Sequence, residues 1–201
     1  MLGTFLIPKQ RYHDMTNRIE PLGPPYPAEI DEQLRSLMPP GVPPLLLFRT
    51  FIKNAPMTAA LRAWGGYELS DAMSLTTRDR EIVINRVCAR CECEYEWGVH
   101  VAFFGERAEL TRDQITSLTH GAADDPCWID ARDRLLVEAV DALHDSARVD
   151  DDLFDRLRSV FDEAQLLDLF LLSGWYHAIS YCANAAGVEL EDFAPRFADY
   201  T

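Results

Sequence analysis

Residues 81–100, EIVINRVCARCECEYEWGVH, put an acid, three thiols, further carboxylates and an imidazole within twenty positions. If the stretch from Cys93 to Phe104 is one helix, Cys93 and His100 are seven residues apart, about 20° short of two full turns, and project from nearly the same side. They are also about 10.5 Å apart along the axis, too far for a direct thiol–imidazole hydrogen bond. Glu96 stands between them, three residues after Cys93 and four before His100, where side chains on a helix surface meet. A Glu96–His100 contact favours the imidazolium form that a proton shuttle uses. The same carboxylate raises the pKa of a neighbouring thiol, whereas a helix start at Cys93 lowers it. Glu81 lies on the preceding helix, and its reach to His100 depends on a turn near residues 90–92.

Cys88, Cys91 and Cys93 also spell Cys-x2-Cys-x-Cys. No second thiol pair follows at zinc-finger spacing, so no metal site is expected. A disulfide from Cys88 or Cys91 to Cys93 stays open, with core thiols the expected state. His177 falls in the most apolar segment of the chain, where an ionisable ring needs a partner, either as a core histidine or beside a pocket.

Short helices must position these groups. Capping and apolar spacing predict helices over 28–38, 45–53, 54–69, 78–91, 93–104, 111–118, 129–144, 152–161 and 163–186. Thr76 or Thr77 caps the fourth, Thr111 and Gln114 form a capping box, and Gly187 stops the last. Within 78–91 the expected buried side is Ile82, Val83, Val87 and Cys88. The acidic residues of 141–168 recur at helical intervals and read as a solvated face. Strand-like alternation is almost absent, as is any Gly-rich phosphate loop, so the fold class is all-α. Pro8, Pro21, Pro24, Pro25 and Pro27 make residues 1–27 an extended arm, and residues 28–201 a single helical domain.

The 19 basic and 33 acidic side chains give a net charge of −14, which argues against a nucleic-acid or anionic-membrane partner. The most apolar stretch, 166–181, is interrupted by Asp168 and His177, so no membrane span is expected. The start of the chain lacks the basic lead and cleavage site of a signal peptide, and five cysteines, an odd number, three of them clustered, read as reduced thiols. A cytoplasmic protein with a small-molecule substrate is expected.

The pattern Glu81, eleven residues, Cys93, two residues, Glu96, three residues, His100 resembles the signature of the carboxymuconolactone decarboxylase and alkylhydroperoxidase D superfamily. The resemblance runs in character from about Pro40 to Leu190. In the alkylhydroperoxidase branch the signature is a Glu, then Cys-x-x-Cys, then x-x-x-His; here Glu96 occupies the second Cys position, so the usual two-thiol cycle is broken. The string Glu94 to Trp97 followed by His100 looks like the decarboxylase-like members. That resemblance implies a cofactor-free lyase or isomerase on a small oxygenated organic acid. His100 is the implied proton carrier, Glu81 and Glu96 its orienting acids, and Cys93 a pocket thiol. Trp97, Tyr176 and His177 are expected to line the substrate pocket. It also implies a homo-oligomer, trimer or hexamer. Two alternatives are a thiol peroxidase or disulfide reductase using Cys93, and a non-catalytic oligomeric binding protein on the same fold.

Overall fold

The computed structural model describes residues 17–201. The first sixteen residues of the expected arm lie outside the described residues; the remainder runs along the body. There the Arg18 and Ile19 amides donate to the Ala186 carbonyl at 2.8 and 3.1 Å, and Leu22 exchanges two hydrogen bonds of 2.9 Å with Arg49.

Nine α-helices follow among the described residues: α1 (Ala28–Arg35), α2 (Leu46–Phe51), α3 (Ala55–Glu68), α4 (Thr77–Arg90), α5 (Glu94–Phe104), α6 (Arg112–His120), α7 (Ala131–Ser146), α8 (Asp151–Arg158) and α9 (Glu163–Ala186). Single 3-10 turns cover Ile52–Asn54 and Phe197–Tyr200, and no strand occurs among the described residues. The all-α expectation stands. Local chemistry sets the starts: Thr76 with Asp79 and Thr111 with Gln114 form reciprocal capping boxes, and the Asn54 side chain accepts from the Met57 amide. Gly187 ends α9 at φ 64°, in the left-handed region. Helix α1 stops at Arg35, three residues short of the expected end, and α8 stops at Arg158.

Helix α4 is the axis of the molecule, packed against α5, α6, α7 and α9. The apolar spacing understates its burial, because every residue from Asp79 to Cys88 is buried, charged ones included. Burying a charge is tolerable only when it is paired, and each is: Arg132 holds Asp79 at 2.8 Å, Arg80 holds Glu81 at 2.9 Å, and Asp141 holds Arg86 at 2.8 Å. The expected solvated face of 141–168 holds for Asp145, Asp150, Asp151, Asp152, Asp155, Asp162 and Glu163, which are exposed, but not for Asp141 and Asp168. Asp141 serves Arg86, and Asp168 accepts from Tyr67 Oη at 2.7 Å and from the Ser74 amide and hydroxyl at 2.8 and 2.6 Å, tying α9 to the segment after α3.

Only Cys91, Glu92 and Cys93 connect α4 to α5, with Glu92 at φ 52°. So tight a turn folds α5 back along α4 and brings residue 100 beside residue 81. The outer side of α5 is covered by the C-terminal segment. A Cβ on Gly98 would lie 2.6 Å from the Pro195 carbonyl oxygen, so this close approach requires glycine.

Candidate active site

Glu81 and His100 face each other inside the α4–α5 hairpin. His100 Nδ1 lies 2.9 Å from Glu81 Oε2, and the other carboxylate oxygen, Oε1, accepts from Arg80 Nε at 2.9 Å. An Arg-paired carboxylate only accepts hydrogen bonds, so Nδ1 carries the ring proton and Nε2 presents its lone pair. Tyr176 Oη sits 3.0 Å from Nε2 and donates to it. Burial, followed by the charges of Glu68, Glu96 and Glu81, pushes the Tyr176 hydroxyl far above its ordinary range, which keeps it a donor. Glu96 Oε2 is 3.7 Å from the same nitrogen, an ion-pair distance rather than a hydrogen bond, and burial raises the Glu96 carboxyl against the lowering influence of His100. The Phe104 ring lies against the imidazole at 5.3 Å, with the Arg80 guanidinium over its face.

This assembly opens on a cavity of about 570 Å³ enclosed by the segment after α1 and by α2, α3, α5 and α9. That volume is in the range of small-molecule sites. Leu45, Leu47, Phe48, Phe51, Leu61, Val99, Phe103 and Ile179 make most of the wall apolar, while His100, Glu96, Tyr176, Glu68 and Arg62 supply polar groups. Residue spacing alone does not point to Glu68 or Arg80. Glu68 is 1% exposed, receives Trp64 Nε1–H at 2.5 Å, and is raised to about 8, chiefly by burial, so it is a neutral carboxylic acid at pH 7. Arg80 also donates to the backbone carbonyl of Glu68 at 3.3 Å, tying α4 to the end of α3. The one available signal for Arg80 was its adjacency to Glu81.

Of the residues selected from the sequence, Glu96, His100 and Tyr176 line the cavity, and Glu81 stands behind His100. Cys93, Trp97 and His177 do not line it. Cys93 is the N-cap of α5 and fully buried; its thiol is pushed up to about 12 by burial and then by the Glu96 charge, which outweigh the Glu96 amide and the Ser180 hydroxyl. The pKa-lowering helix start is thus overridden by desolvation. Trp97 points to the opposite side of α5, where Phe197 and Tyr200 meet it edge-on at 4.9 and 5.4 Å. His177 turns toward α7 and pairs with His144 at 3.0 Å. All five cysteines are free thiols, so no disulfide links Cys93 to Cys88 or Cys91.

No family model and no curated protein matches the sequence. Solved structures do match. A peroxidase-related protein from Silicibacter sp. TM1040 is similar over 88% of this chain and 93% of its own, at 18% identity and TM-score 0.74. An alkylhydroperoxidase AhpD core protein from Ralstonia eutropha JMP134, also described as peroxidase-related, is similar over 87% of this chain and 93% of its own, at 18% identity and TM-score 0.73. The debrominase Bmp8 in its apo form covers 87% of this chain and 92% of its own, at 14% identity and TM-score 0.66. By this arrangement of its described helices the chain has the AhpD-like helical fold.

Proposed function

We propose that the chain is a cofactor-independent acid/base enzyme, a carboxymuconolactone decarboxylase-like lyase or isomerase acting on a small oxygenated organic acid with an apolar body. The observation that carries this reading is the imidazole of His100, anchored by Glu81 and facing an apolar cavity that also holds the neutral acid Glu68 and the hydroxyl of Tyr176. In the lyase form, the bond from carbon to carboxylate breaks, carbon dioxide leaves, and the electron pair remains as an enolate. For this, His100 Nε2 first takes a proton from solvent. Tyr176 Oη then accepts from Nε2–H and turns its own O–H to the enolate oxygen beside Glu68, and Nε2 delivers its proton to carbon. In the isomerase form His100 removes a proton beside a carbonyl and redelivers it one carbon away. Arg62, at the exposed edge of the cavity, suits the substrate carboxylate.

The thiol alternative has less support. Attack on a peroxide requires a thiolate, and Cys93 is buried, off the cavity wall and held as a thiol. The same reading has the protein cytoplasmic and homo-oligomeric, as three or six copies. Five reduced thiols agree with such a compartment, and Leu167, Leu171 and Tyr181, exposed along one side of α9, agree with a covering copy. Among the described residues no helix is long and apolar enough to cross a membrane.

A panel of small lactone and keto acids, followed by carbon dioxide release and deuterium exchange, tests the reading. His100→Gln should lower turnover by at least about a hundredfold while cavity binding persists. Peroxide turnover that depends on Cys93, with no His100-dependent exchange, would replace this reading with the thiol oxidoreductase. Binding without either reaction would leave a binding protein.

A further inference from the structure

Away from the cavity, three side chains from three helices converge: Cys91 at the C-cap of α4, His144 in the last turn of α7, and His177 in the middle of α9. One ligand atom of each lies within 4.8 Å of the other two, and all three residues are half-buried. His144 Nδ1 and His177 Nε2 are 3.0 Å apart. Two imidazoles on a tetrahedral zinc ion stand roughly 3.3 Å apart, and a thiolate and an imidazole roughly 3.6 Å, given the usual bond lengths. The histidine pair is therefore already close to the required separation, and the sulfur, within 4.8 Å of both nitrogens, needs to close by no more than about 1.2 Å.

A second feature is independent of those distances. His177 Nδ1 lies 3.2 Å from the Ser173 carbonyl, one turn back on α9. A carbonyl only accepts, so Nδ1–H donates to it, and the Nε2 lone pair faces His144 Nδ1, with the Cys91 ligand atom within 4.8 Å. A backbone carbonyl holding the far nitrogen in this way is the usual outer support of a metal-bound histidine. The Cys91 backbone is fixed in turn, since Asn184 Nδ2 donates to its carbonyl at 2.9 Å.

From this geometry we infer that Cys91, His144 and His177 form a zinc(II) site with three protein ligands and one position open to water or a small anion. A thiolate with two imidazoles is a donor set that zinc favours over magnesium or calcium. Binding converts the Cys91 thiol to a thiolate and releases one proton to solvent. The proton shared between the rings moves to His144 Nε2 as Nδ1 takes the metal, with no further release. The nearby guanidinium of Arg90 is already engaged by Asp141 and Asp145.

The test uses the full chain, reduced and stripped of metal, titrated with cobalt(II) as a spectroscopic probe and then with zinc(II). The expected result is one equivalent of cobalt with intense visible bands of a tetrahedral ion and a near-ultraviolet thiolate charge-transfer band, displaced by one equivalent of zinc. Cys91→Ser should abolish the charge-transfer band. His144→Asn and His177→Asn should weaken affinity at least about tenfold, with circular dichroism confirming the fold. Cys93→Ser and His100→Gln should leave the titration unchanged, which separates this site from the proposed acid/base site. Absence of tetrahedral cobalt bands overturns the inference, as do bands that survive Cys91→Ser or bands lost in Cys93→Ser.

Discussion

The molecule holds two imidazole centres built on opposite principles. His100 is 5% exposed, with a carboxylate on one ring nitrogen, a tyrosine hydroxyl on the other, and an apolar cavity in front. His144 and His177 are half-buried, face each other and a thiol, and have no carboxylate within hydrogen-bond range of the nitrogens they share. Burial lowers the basicity of His144, the positive charge of Arg90 lowers it further, and Asp145 and Asp141 offset part of this. The first arrangement suits moving a proton, because the ring exchanges between charged and neutral forms against fixed partners. The second suits donating lone pairs. Local partners decide which use the same side chain has.

The sharpest way to break the contrast is to remove the anchor of the first centre. Glu81→Ala leaves Arg80 buried without its carboxylate and His100 without its orienting partner, so chemical denaturation should show a loss of about 3–5 kcal/mol. Turnover should fall with it, whereas the second centre, which shares no residue with this network, should keep its cobalt spectrum in whatever fraction stays folded. A smaller cost near the wild-type value would mean that the Arg80–Glu81–His100 chain is not the structural unit described.

The next effect concerns Glu68. A carboxyl raised to about 8 from its ordinary 4.5 holds a proton in the folded chain that the unfolded chain has released between those values. Stability should therefore fall as pH rises through that window, by at most about 1.4 kcal/mol per pH unit from this one group. Glu68→Gln should flatten that part of the stability curve and remove any fall in turnover near pH 8. An unchanged pH profile would show Glu68 to be ionised and not an acid of the cavity.

The smallest effect is expected at Cys93. With its thiol buried and off the cavity wall, Cys93→Ser should change turnover less than about threefold, as befits a near-isosteric change away from the reacting atoms. Alkylation of the native protein should modify the exposed Cys182 first and the buried Cys88 and Cys93 last, read by mass spectrometry. Rapid labelling of Cys93 would reopen the thiol chemistry.

These two centres also differ in how far the sequence revealed them. Glu81, Glu96 and His100 lie on one helical hairpin, so twenty consecutive residues contain most of that geometry, and helical spacing anticipated the approach of Glu96 to His100. The Glu81 contact needed the three-residue turn at 91–93, which spacing alone does not define. Tyr176 and Glu68 come from helices distant in the chain, and the burial that makes Glu68 neutral is a property of the assembled cavity. Cys91, His144 and His177 are spread over 86 positions with no motif spacing among them, and only the packing of α4, α7 and α9 unites them. Trp97 was misassigned to the pocket because the C-terminal segment that covers it is held by tertiary contacts, such as Phe197 N–H to Glu94 at 2.7 Å, rather than by any local pattern. Helix starts were legible because N-caps act within four residues, whereas the ends of α1 and α8 fall three residues short.

Tyr176 and His177 are consecutive on α9, and neighbours on a helix depart about 100° apart. One grips the ring of His100 and the other reaches for His144. One stretch of backbone thus carries a contact of each centre, so the registration of α9 against its neighbours sets the geometry of both.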